Sequence, residues 1–314
     1  GYSDPSFYLS DNPNVKVVPA DPNRHLLSRE EWVEAHFETT GIPVGHGYRG
    51  NRCTDENGEP LERACWSFTD GLFHYIGLDS NPHEGLESGN IDDPQFQWLE
   101  RELTSNSKRY FDAEGKEQTN KKGRNKLIVV FSHHTKGSMD NEETEGAHTG
   151  ADLRKLLVRY PNVIVHANGH THQNKIWGRK SKKLHSGYWE LNTSAIADFP
   201  HQSRTVEIAD NHDGTLSIFA VVFDALVAPD PRTIDWAEDD PTNEVSLAGT
   251  ERAINEDWFA SAAREVGYYD PQADLTKIGT PKDRNVELVI KLPFKLGGKG
   301  SRRAYIVRTV HGAF

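Results

Sequence analysis

The sequence predicts an α/β protein in which helices cover sheets. Three observations carry this expectation. Strand-like and helix-like segments alternate from residue 28 to residue 223. One segment, 127–131 (LIVVF, after Lys126), is continuously apolar, as a strand buried on both faces must be. Two histidine clusters follow directly on apolar strands, at the end where open α/β sheets place their ligands.

Each element has a local reason. Ser28-Arg29-Glu30-Glu31 spells a capping box and opens a helix through His36. Residues 65–68 and 72–78 read as strands joined by Asp70-Gly71. Asp93-Pro94 starts a helix with Phe96, Leu99 and Leu103 at helical spacing. Residues 108–126 read as a charged loop containing glycine. Thr149 caps a helix carrying Leu153, Leu156, Leu157 and Tyr160, which Pro161 ends. Residues 163–167, 188–192, 204–209 and 215–223 read as strands, the last two joined by a turn containing Asp213-Gly214. Residues 228–244 hold three prolines and six acids and read as a connecting segment. Beyond them a helix over 245–266 and a hairpin of 286–292 with 304–310 are expected. The organisation that follows is a domain over 1–228 and a carboxyl-terminal extension over 229–314 that packs on it.

Composition narrows the function classes. With 36 Lys+Arg against 47 Asp+Glu, the chain of 314 residues carries a formal charge of −11. That balance argues against a nucleic-acid coat protein, whose affinity comes from cations on phosphates. Mean hydropathy is −0.71, and no run approaches the roughly 18 apolar residues of a membrane span, so no transmembrane segment is expected. Residue 1 is Gly and the single methionine, Met139, lies mid-chain, so the chain is not expected to begin where translation began. Cys53 and Cys65 flank a turn-forming Asn57-Gly58. They read either as a disulfide, which would place the protein in an oxidising compartment, or as two free thiols. Residues 291–314 hold six Lys and Arg and no acid, and read as a solvated hairpin edge rather than an anion site.

The chemistry lies in Ser132-His133-His134, after KLIVVF, and Gly169-His170-Thr171-His172, after VIVHA. Gly169 is expected to let the chain turn sharply out of the sheet, so that the histidines aim at one site. Neutral imidazole ligates Zn, Fe and related ions. With 26 Gly and 15 His, chance supplies Gly-His-x-His only roughly 0.06 times in a chain of this length. Strand, Ser-His-His, helix, strand and Gly-His-x-His in that order is rarer still. No glycine-rich phosphate loop and no Gly-x-Ser-x-Gly elbow is present.

With FSHHT at 131–135 and NGHTH at 168–172, the chain resembles the carboxyl-terminal half of calcineurin-like metallophosphoesterases. Further matching segments at 21–32, 41–48, 91–104, 159–174, 188–208 and 283–290 resemble a bacterial subgroup whose members often carry export signals. The resemblance implies a four-layer α/β/β/α sandwich, incomplete here at the amino terminus, and a two-metal site for Mn, Fe or Zn ions. It assigns His133 and His170 to one metal and His172 to the other, with His134 beside the site and His46 and His25 as pocket candidates. The implied reaction is hydrolysis of a small phosphomonoester or phosphodiester, by a hydroxide formed between two cations that also clamp the phosphate.

The family's three earlier motifs are not found. The chain contains no Gly-Asp dipeptide. Asp210-Asn211-His212 lies after the second cluster, Asn81-Pro82-His83-Glu84 lacks the glycine, and Gly89-Asn90-Ile91-Asp92 lacks the histidine. The missing carboxylates and the general-acid histidine are expected upstream of Gly1, leaving this chain inactive or nearly so by itself. The competing reading is a non-catalytic metal-binding or interaction domain that has lost half its ligands.

Overall fold

The computed structural model describes residues 27–37, 39–40, 50–82, 87–196, 202–224 and 276–296. Helix α1 (Arg29–Phe37) is capped as the sequence predicts: Ser28 N–H donates to Glu31 Oε2 at 2.7 Å, and Glu31 N–H to Ser28 Oγ at 3.1 Å. Hairpin β1 (Trp66–Asp70) and β2 (Phe73–Gly77) turns at Gly71, whose φ of 52° a side chain would strain. Helix α2 (Asp93–Ser105) starts at Asp92, whose carboxylate accepts from Gln95 N–H. Strand β5 (Leu127–Phe131), helix α3 (Gly150–Leu157) and strand β6 (Val163–Asn168) follow as expected. Strands β8 (Ser186–Asn192), β9 (Gln202–Asp210) and β10 (Thr215–Asp224) come next.

Two expectations are corrected. The loop over 108–126 contains a hairpin of β3 (Arg109–Phe111) and β4 (Glu117–Thr119). The Arg109–Glu117 ion pair and the stacking of Tyr110 on Tyr160 hold it, and short, polar sequence hides both. Residues 175–181 form β7 (Lys175–Ser181), which the sequence reading passed over. This strand lies at the sheet edge, so its outward positions are polar and the apolar signal is thin.

The first sheet runs β1-β2-β5-β6-β8-β7. Its four central strands, β2, β5, β6 and β8, are parallel. The second sheet is antiparallel in the order β11-β10-β9, with β11 (Val286–Lys291) drawn from beyond residue 229. Side chains of β5 alternate between two cores. Ile128 and Val130 meet Trp98, Leu99 and Leu103 of α2 and Leu153, Leu156 and Leu157 of α3. Leu127 and Val129 meet Val206, Ile208, Leu216 and Ile218 of the second sheet. Period-2 alternation therefore builds helix, sheet and sheet layers from one fully apolar strand.

Cys53 and Cys65 form a disulfide with Cα atoms 5.4 Å apart, and both are fully buried in the helix-side core. The Asp55 carboxylate orders the turn between them by accepting from Asn57 and Glu59 N–H. Arg204, also buried, fastens residues 283–284 to β9 by donating to the carbonyls of Asp283 and Arg284. No helix among the described residues is long and apolar enough to cross a membrane. The expected helix over 245–266 and strand over 304–310 lie outside the described residues, as do His25 and His46.

Candidate metal centre

The four parallel strands end at one edge of the first sheet, and that edge collects the histidines. Strand β5 delivers Ser132, His133 and His134; its neighbour β6 delivers Gly169 and His170. Gly169 N–H donates to the His133 carbonyl at 2.9 Å, so the two loops are joined by backbone. His133 Nε2 and His170 Nδ1 lie 3.2 Å apart. His133, His134 and His170 each offer a ring nitrogen, and these three atoms fall within 4.8 Å of one another. The 3.2 Å separation of the His133 and His170 nitrogens is that of two imidazoles sharing one cation at about 2.0–2.1 Å.

His134 is the most constrained of the three. Its Nδ1 lies 2.8 Å from Ser80 Oγ, just past β2, and its Nε2 lies 2.9 Å from the Glu87 carbonyl. A carbonyl only accepts, so Nε2 carries the proton and Nδ1 faces the hydroxyl. Gly89 presses on the ring: a Cβ there would stand 2.4 Å from His134 Cγ. His134 therefore enters metal coordination only by giving up the Ser80 contact, whereas His133 and His170 face each other directly. His172 falls outside this three-nitrogen group. Its proximity still helps to lower His133 and His170.

The turn out of β6 differs from expectation. Among the described residues, positive φ falls on His170 (69°) and His172 (52°), not on Gly169. Left-handed backbone at a residue with a Cβ costs roughly 1 kcal/mol or more, and such strain gathers where function holds it. The glycine signal marked the correct turn but the wrong residue.

The electrostatics suit metal binding. Burial, then the neighbouring His170 and His172, push His133 down to about 4. Burial, then His170, push His134 down to about 4. His170 is also lowered, by burial first and His172 next, while Glu87 and Asp140 pull the other way. Neutral imidazole is the ligating form, so the donors are ready at neutral pH without displacing a proton. The unfolded chain takes up protons at these histidines from about pH 6.5 downward, while the folded one waits until about pH 4. The metal-free protein should therefore lose thermal stability as pH falls from 6.5 to 4.5, before carboxylates contribute. Melting temperatures at pH 7, 5.5 and 4.5 check this; a flat profile would contradict it.

Several residues at this edge escaped the sequence reading. Ser80, Gly89 and the Glu87 carbonyl hold His134 from segments with no motif of their own. Fully buried His166 sits 2.8 Å, through Nε2, from Ser132 Oγ, which in turn donates to the His134 carbonyl. A lone histidine inside the apolar VIVHA was the available signal for it. The sequence look-alikes take other roles. Asp92 caps α2, buried Asn90 donates to the Asn141 carbonyl, and His212 pairs with Asp210 beside the β9–β10 turn. His83 and Glu84 lie outside the described residues.

No family profile matches the chain, and no curated protein matches it by sequence. Among solved structures it is similar to a dimetal phosphatase from Danio rerio, at 14% identity and a TM-score of 0.32. The aligned region covers 52% of this chain and 59% of that one.

Proposed function

We propose that this chain carries the His133/His170 half of a divalent-metal centre that serves phosphoester hydrolysis. The observation that carries the reading is the approach of His133, His134 and His170 to within 4.8 Å at the carboxyl ends of parallel strands. In this reading His172 serves a second ion, and the carboxylate ligands and the general acid come from sequence outside this chain. Bound divalent cations supply Lewis-acid polarisation of phosphoryl oxygens and an acidified water. The chain's own share is to present neutral imidazoles in a fixed, partly buried setting and to hold their two loops together. The substrate class is a small phosphomonoester or phosphodiester. The buried Cys53–Cys65 disulfide favours an oxidising, extracytoplasmic setting.

Cobalt(II) titration followed by visible absorption, paired with hydrolysis of a chromogenic phosphodiester, tests the reading. The chain alone should bind cobalt and hydrolyse the ester barely or not at all. A version extended upstream by the three missing motifs should turn over. Failure of the chain to bind cobalt would overturn the metal reading. Enzyme-like turnover by the chain alone would overturn the division of ligands, and an extended protein that binds metal without turnover would favour a binding module.

A further inference from the structure

Glu190 lies on β8, where its register partner on β6 is His166. Its side chain is completely buried, which a carboxylate tolerates only when its oxygens are satisfied. Oε1 accepts from Lys136 N–H at 2.9 Å and from Asn168 Nδ2 at 3.1 Å. Oε2 pairs with Arg179 Nε. The two donors on Oε1 belong to different strand ends: Lys136 follows His134 by two residues in the loop after β5, and Asn168, the last residue of β6, precedes His170 by two. One carboxylate oxygen therefore bridges the chain leaving β5 to the chain leaving β6. Burial pushes its carboxyl upward, but His166, Arg179 and the Lys136 N–H outweigh it, and the group stays ionised at neutral pH.

We propose that Glu190 is a positioning residue, which sets the separation of His133 and His170 by tying the backbones that carry them. This rests on the metal reading above and adds the element that makes the histidine pair rigid. The facing imidazole nitrogens are 3.2 Å apart before any ion is considered, and the Glu190 bridge adds a second tie, from outside the loops, to the direct bond from Gly169 N–H to the His133 carbonyl. No metal contact is ascribed to Glu190 itself. Its nearest analogues in physical terms are the outer hydrogen-bond partners that orient metal ligands, whose loss costs about 10–100-fold in affinity.

The test is cobalt(II) affinity and the cobalt absorption spectrum of Glu190→Ala and Glu190→Gln, beside the melting temperature of each metal-free variant. Glu190→Ala should bind cobalt about 10–100-fold more weakly, with an altered spectrum. Glu190→Gln keeps an oxygen for Lys136 and Asn168, and should recover most of the affinity and the native spectrum. Arg179, stacked over Trp177, can turn to water when its partner is neutral. A purely structural role predicts lowered melting temperatures with wild-type affinity and spectrum in the folded fraction, and that result would overturn the proposal. Should Glu190→Ala not fold, Asn168→Ala decides: it cuts only the β6 tether and should weaken binding and shift the spectrum, and wild-type behaviour would count against the bridge. If the wild type binds no cobalt, both this proposal and the metal reading fall. If it binds and the variants match it, only the positioning role does.

Discussion

Replacing His170 should weaken divalent-metal binding about 100-fold while leaving the fold in place. Structural zinc sites of four ligands hold their ion by about 10–16 kcal/mol, or about 3 kcal/mol per ligand. At 1.4 kcal/mol per decade, losing one ligand costs about two orders of magnitude in affinity. The choice of substitution matters because His170 sits at φ 69°. Alanine keeps the strain and removes the ligand. Glycine removes both, and relief of left-handed strain is worth about 1 kcal/mol. His170→Gly should therefore leave the metal-free protein as stable as wild type or slightly more so, yet bind cobalt about 100-fold more weakly. Calorimetric titration and thermal melting on the same samples separate the two effects. Retained affinity in both variants would remove His170 from the centre.

Breaking the Cys53–Cys65 crosslink should cost about 3 kcal/mol, the loop-entropy value for closing a segment of this length. Both sulfurs lie in the core shared with Ile91, Trp98 and Leu99. The double variant Cys53→Ala/Cys65→Ala avoids burying new hydroxyls. Its urea midpoint should fall well below that of the oxidised wild type, and wild type in reductant should approach it. Identical midpoints with and without reductant would show that the bond adds nothing.

Much of this architecture was legible because its cause is local. The 127–131 run was identifiable as a central strand, since few structures other than a doubly covered strand take five consecutive residues of that kind. Ser28 and Thr149 announced their helices because capping chemistry is confined to three or four residues. The β3–β4 hairpin and β7 were not legible. Their stability comes from partners distant in sequence: Tyr160 under Tyr110, and the Asp283 carboxylate that accepts from Ile176 N–H. The same division runs through the site. His133 and His170 were readable from strand-end motifs, whereas Ser80, Glu87, Gly89 and His166 carry no motif and act only by where the chain brings them.

By itself the sequence determined most of the elements, the faces they bury and the two histidine clusters, because periodicity, capping and residue chemistry act over a few residues. Tertiary structure decided the rest. It set β5 and β6 side by side and parallel, so that loops 37 residues apart place two imidazoles 3.2 Å from each other. It moved the turn's strain from Gly169 onto the histidines. It also placed one buried carboxylate between their loops. Those outcomes depend on which strands pair, and strand pairing is won by burying two cores at once rather than by any segment's own preference.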